Sequence, residues 1–305
     1  GLDLAGAYGP TRATGTVAVS GNKLQLTITG TGEELVWNNA TSASAADGVW
    51  DTSLANFSDG HSDSTFQAFD SVTFDDSVAP GNPKTVTLGS ILAPARVRVD
   101  NSQGSYTFLS APGALAGVGS LVKTGGSRLT FIGSNGHAMF GPIVAGGGSI
   151  DFSGKAIATS KLVLEEGASF DNAIATVGAM ALKAGSAAAT LQGSGTWTKT
   201  TPGTVTLTAS NRLSGAGMIE AGSLIVGDPV TPNDSGSLGT GAVTIASGAS
   251  LEIHRGDYNP AIASTLTGSG SLKLTGTAGL GVPKSSFSFT AQDTGFSGPV
   301  SITNA

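Results

Sequence analysis

The chain is 305 residues long, with 46 glycines, 12% charged residues, 6% aromatic residues and a formal net charge of −6. Its 15 lysines and arginines, spread over that length, cannot build the dense cationic face that nucleic acid or an anionic membrane surface requires, and no apolar run approaches the ~20 residues of a membrane-spanning helix. Cysteine is absent, which excludes disulfides and thiolate-held zinc or iron–sulfur centres; a chain 39% apolar with so modest a charge is not disordered, and its glycines do not follow the three-residue period of collagen.

Short alternating runs, each closed by Gly, Asn, Asp or Pro, predict strands over 23–29, 71–74, 84–88, 96–99 and 105–109, and later over 161–164, 203–208, 242–245 and 250–253. Many alternate Thr or Ser with Val, Leu or Ile, which gives each strand one apolar and one small polar face. Residues 38–66, dominated by Ser, Ala, Asp and Gly, predict a loop. The one candidate helix is 173–184, where Ile174, Val177 and Leu182 are ambiguously spaced and Gly178 interrupts. Residues 1–15 lack the basic start and long apolar stretch of a secretory signal.

An internal repeat organises the second part of the chain. Gly117-Val-Gly-Ser-Leu-Val-Lys-Thr124, Gly193-Ser-Gly-Thr-Trp-Thr-Lys-Thr200 and Gly268-Ser-Gly-Ser-Leu-Lys-Leu-Thr275 share one pattern at a near-constant offset. A smaller Gly-Ala-Ser turn recurs at Gly167 and Gly248. A strand of about five residues cannot bury its apolar face alone, but stacked coils pair every strand with its neighbours ~4.8 Å away and close a continuous core. The expected fold is all-β, a right-handed parallel β-helix with coils of about 20–25 residues, some three per repeat. No obvious Asn-Gly turn joins two strands at two-residue hairpin spacing, which fits parallel pairing. Residues 1–110 are expected to form a leader or cap rich in Trp and Asp, and residues 111–305 the repeat-built helix.

These residues resemble the autotransporter-associated β-strand repeat, also called the passenger-associated transport repeat. Gly117 to Gly133 follow its pattern well, Gly193 to Asn211 next best, and Gly268 onward is a degenerate copy with an insertion at 280–284. Leu35 to Ala40, Gly48 to Asp51, Ala55 to Phe57 and Phe69 to Asp75 resemble the leader that often precedes such repeats, so the likeness covers about residues 33–305. It implies a large exported protein of Gram-negative or related bacteria, often followed by a C-terminal β-barrel, located at the cell surface or outside the cell. It names no ligand.

Candidate chemistry is sparse. Trp37, Trp50 and Phe57, with Phe66, Phe69 and Phe74, read either as a sugar-stacking platform or as the core of an N-terminal cap. Asp70, Asp75, Asp76 and Asp100 form a loose acidic set that a calcium ion would need drawn tightly together. Gly146 to Asp151 matches one calcium-binding nonapeptide incompletely, because Ser149 stands where a Gly is required. His61, His137 and His254 show no zinc-protease spacing, and Arg255-Gly256-Asp257 is an integrin-type tripeptide short enough to arise by chance. Glu165 and Glu166 are adjacent, as are Glu33 and Glu34, so on a strand each pair would point to opposite faces.

The expected function is therefore a surface adhesin or structural scaffold without enzymatic activity, cofactor or metal. Its expected partners are host or neighbouring-cell glycans or proteins, or further copies of itself. One alternative is a polysaccharide-degrading enzyme that uses clustered acids with Arg96 or Arg98. The other is a passive spacer and export stem.

Overall fold

The computed structural model describes residues 11–12, 14–21, 23–39, 47–78, 84–139, 141–228, 236–256, 261–276, 287–290 and 295–304. Among them there is no helix, and the strands stack in parallel as a β-solenoid. The chain divides into two compact units, Gly1–Pro142 and Ile143–Ala305.

In the first unit, Glu34–Trp37, Ser71–Asp75, Arg96–Asp100 and Ser120–Thr124 pair in parallel as successive rungs. Their register places Leu35, Val72, Val97 and Leu121 in one line, and all four are buried. A second sheet stacks Asp47–Trp50, Lys84–Leu88, Tyr106–Leu109 and Arg128–Ile132, aligning Val86, Phe108 and Phe131 inward. The period of two makes this automatic: every second side chain enters the core, and each rung repeats the last.

The first coil is closed differently. Phe57–Ser58 runs antiparallel to Glu34–Trp37, and Asp63–Ser64 runs antiparallel to Phe57–Ser58. The segment 38–66, expected as loop, thus contains strands at Asp47–Trp50, Phe57–Ser58 and Asp63–Ser64. Its polar composition hid a few large apolar anchors, since Trp50, Phe57 and Phe66 are wholly buried. Thr14–Ser20 and Lys23–Thr29 form an antiparallel hairpin in which Ser20 faces Lys23 and Gly21 takes φ 59°. The alternation in 23–29 predicted that strand, but its partner was not foreseen.

In the second unit, Ile143, Leu162, Met180, Trp197, Gly217, Val243 and Leu266 occupy one register position on successive rungs. On the other sheet Ile150, Phe170, Ala187, Leu207, Val226, Ile253 and Leu274 align and are buried. Four coils fit between Ile143 and Gly217, where the expected coil length predicts about three. The shortest, from Met180 to Trp197, has one corner trimmed to two residues, Lys183 and Ala184.

The candidate helix is instead two strands, Ala168–Val177 and Met180–Leu182. Ala173, Ala175 and Val177 are buried while Ile174 and Thr176 are exposed, a period of two that the small alanines disguised. Gly178 turns the corner, where a Cβ would meet the Ser160 carbonyl oxygen.

Candidate functional site

Of the aromatic residues proposed as a sugar platform, all but Phe69, which is 38% exposed, lie inside the first unit. Trp37, Trp50 and Phe57 have relative exposures of 2%, 0% and 0%. Trp37 meets Phe57 edge-on at 5.1 Å between centroids; Trp50 meets Phe66 at 5.3 Å and Phe74 at 5.3 Å; Phe74 continues to Phe108 at 4.9 Å. No face of these buried rings is open to a pyranose, so Trp37, Trp50, Phe57, Phe66 and Phe74 form the hydrophobic core of the first coils rather than a binding surface. Edge-to-face contacts of this kind add to the burial energy.

The acidic set is dispersed by hydrogen bonding. Asp70 is fully buried, accepting from the amides of Glu33 at 2.9 Å and Gln67 at 2.8 Å and pairing with Arg12 at 3.0 Å. Asp75 accepts from Ser77, and Asp100 pairs with Arg98 at 2.6 Å. Asp76 accepts from the amides of Ser102 and Gln103 at 2.8 and 3.0 Å. Burial works to raise its pKa, but those amides and the Lys84 ammonium outweigh it and leave the carboxyl below its usual value. Among the described residues no three His, Asp or Glu side chains are placed to hold a metal ion. Asp151 is spent on its own bulge, accepting from the Ser153 amide at 2.7 Å and from Asn172 at 3.0 Å.

The histidines serve local networks. His61 is exposed in a turn capped by Asp59, while buried His137 packs on Phe131 and accepts from the Leu115 amide. His254 bonds Glu252 at 2.6 Å, and Glu252 also pairs with Lys273 at 2.6 Å. Arg255 donates to the Gly236 carbonyl, and Asp257 of the integrin-type tripeptide lies outside the described residues. Arg96 and Arg98 sit on the outer face, Arg96 pairing with Glu34 at 2.6 Å and Arg98 with Asp100.

The lysine of the repeat proves to be interior. Lys123 and Lys199 are fully buried at inward strand positions. Lys123 Nζ donates to the carbonyls of Thr124 at 2.6 Å and Gly125 at 3.0 Å. Lys199 Nζ donates to the carbonyls of Thr201 and, at 3.1 Å, Ala221. Burial depresses both, Lys123 to about 8 despite the opposing field of Asp100 and Asp76. In the third copy the lysine comes one position earlier. That shift turns Lys273 outward, half exposed against Glu252. Lys84 is a further buried ammonium, donating to the Asp75 carbonyl at 3.0 Å and lying 4.8 Å over the Tyr106 ring.

A groove lined by both acidic and basic side chains was not anticipated. Three consecutive corners of the second unit differ in length. Glu165, Glu166 and Gly167 link Leu162–Leu164 to Ala168–Val177; Lys183 and Ala184 alone link Met180–Leu182 to Gly185–Gly193; residues 200–203 link Trp197–Lys199 to Thr204–Leu207. The short middle corner sits recessed, with Ala184 buried at its floor, between two longer turns. The resulting groove has a volume of about 340 Å³ and is lined by Glu165, Glu166, Lys183, Ala184, Thr201, Pro202 and Gly203. Lys183 Nζ and Glu165 Oε1 are 2.8 Å apart. Glu165 and Glu166 therefore do not oppose each other across a strand, because both leave the strand at a turn and line one groove. The unequal lengths between inward anchors were the available signal.

Fold and register define the class as a parallel β-solenoid. The chain matches no family model, no curated protein and no solved structure.

Proposed function

We propose that this chain is an exported bacterial surface passenger that acts as an adhesin or structural scaffold, engaging cell-surface glycans, proteins or other copies of itself. The observation that carries this reading is the outer face of the second unit. Val144, Val163, Ala181, Thr198, Met218, Thr244 and Thr267 point outward from successive rungs in unbroken register. None is charged, and the backbone beneath them is fixed by parallel pairing, so the face presents a straight row at a spacing of ~4.8 Å. A pre-ordered row of this kind meets a partner without first losing conformational freedom. The repeat residues at Gly117 and Gly193 support the passenger assignment through their resemblance.

The test is display of the chain on bacteria or beads, scored for aggregation and attachment to host cells. Attachment or clumping that disappears when Thr198 and Thr244 are both changed to Lys supports the reading. Beads that neither clump nor attach refute it.

A second reading, polysaccharide cleavage, is favoured by the groove that gathers Glu165 and Glu166 beside Lys183. Release of reducing sugars from a glycan panel, lost in Glu166→Gln, would establish it; no release in any glycan would remove it.

A further inference from the structure

We propose that the groove over Lys183 and Ala184 is a saccharide-binding site in which neighbouring ring hydroxyls bond to the free carboxylate lone pairs and ammonium N–H groups of the Glu165–Lys183 pair. This deepens the adhesive reading, on which it rests, by naming a ligand class and a place for it.

Size and shape come first. The 340 Å³ volume falls within the range of small-molecule sites, roughly 300–1,000 Å³. The groove exists because a two-residue corner lies between longer ones, so its walls are parts of the solenoid rather than of a free loop. The wall at Thr201 is tied down from two sides: Thr201 Oγ1 donates to the Lys183 carbonyl, and Lys199 Nζ holds the Thr201 carbonyl from inside. Little ordering remains to be done on binding.

Charge then narrows the ligand. Two carboxylates disfavour an anion such as phosphate, and the ammonium paired with Glu165 disfavours a bare cation. A hydroxyl suits both signs, since it donates to a carboxylate and accepts from an ammonium. The Glu165–Lys183 pair fixes one acceptor and one donor 2.8 Å apart, on adjacent rungs. Their side chains remain 31% and 44% exposed, so each keeps bonding capacity beyond the ion pair. Glu166, exposed at the rim, makes no ion pair or side-chain hydrogen bond among the described residues and supplies a further acceptor. Pro202 offers an apolar wall to the C–H face of a sugar ring. Adjacent hydroxyls on an otherwise apolar ring are what this arrangement recognises.

The test uses the purified whole chain on an array of neutral and acidic oligosaccharides, followed by calorimetric titration of any glycan retained. Lys183→Ala and the groove-filling Ala184→Arg are compared with Lys161→Ala, an exposed residue outside both the groove and the outward row, and circular dichroism checks each fold. The expected result is binding to a subset of glycans, weakened about tenfold or more by Lys183→Ala and by Ala184→Arg and unchanged by Lys161→Ala. Retention of no glycan overturns the proposal, as does binding that Lys183→Ala leaves intact. Groove variants that bind as wild type while displayed beads still attach to cells remove this site and leave the adhesive reading. Glycan binding at the groove with no attachment does the reverse.

Discussion

Lys199 Nζ, enclosed within its own coil, donates to the carbonyl oxygen of Ala221 on the next coil at 3.1 Å. It also holds the Thr201 carbonyl at the corner of its own rung. One side chain thus joins two successive corners from inside the core. Lys199→Ala strips both half-buried carbonyls of their partner, and losing hydrogen bonds to a charged donor costs about 1–3 kcal/mol. We expect a lower urea midpoint, whereas Lys273→Ala, outward and half exposed, stays within about 0.5 kcal/mol.

Lys123 makes stability depend on alkaline pH. Its folded pKa of about 8 lies below the ordinary 10.5 because burial opposes the charged form. Between these values the unfolded chain binds more protons than the folded one, so stability rises as pH increases through that window. Below about pH 8 both states are protonated and the gain is absent. Tyr106 acts oppositely: burial, with the charges of Asp75 and Asp76, raises its pKa, so its contribution falls once an unfolded tyrosine ionises above about pH 10. Thermal unfolding from pH 7.5 to 9.5 should show the rise, and Lys123→Met should flatten it. An unchanged slope in that variant would rule out Lys123 as its source.

Trp50 contacts Phe57, Phe66, Phe74 and Phe108 and is wholly buried. Trp50→Ala leaves a cavity where four rings met, at a cost of about 3–5 kcal/mol in denaturant unfolding. Any glycan affinity measured on the still-folded variant should be unaffected. Its loss would restore the aromatic residues as a binding element.

Gly195 approaches the neighbouring coil so closely that a Cβ would overlap the Gly178 carbonyl oxygen. Gly195→Ala forces two corners apart and should destabilise by about 1–3 kcal/mol. Gly126→Ala, where a Cβ meets nothing within 4 Å, should be near neutral by the same measurement.

Asp70 is enclosed and satisfied by two amides and Arg12. Asp70→Ala removes the acceptor for all three and should cost about 1–3 kcal/mol from the unmet amides, while Arg12, 22% exposed, keeps its pair with Glu33 at 3.0 Å. A double-mutant cycle with Arg12→Ala measures their coupling.

The alternation of Thr and Ser with Val, Leu and Ile made the rungs at Ser71–Asp75, Lys84–Leu88 and Arg96–Asp100 legible, because a period of two decides which side chains enter a core. The Gly-x-Gly steps at Gly117–Gly119 and Gly193–Gly195 made stacking legible too, since a Cβ at Gly119 or Gly195 would overlap a carbonyl oxygen of the preceding coil. The sequence could not reveal whether an aromatic side chain was core or surface: Trp37 and Trp50 suit either place, and only the rings of Phe57, Phe66 and Phe74 closing over them decided it. Nor could it bring Glu165, Glu166, Lys183 and Pro202 together, because their meeting depends on which corners lie side by side. Local chemistry sets the direction of each side chain. Which side chains become neighbours across coils is set by the register of the whole stack, a sum over many rungs in which a one-residue shift, as at Lys273, reverses the outcome.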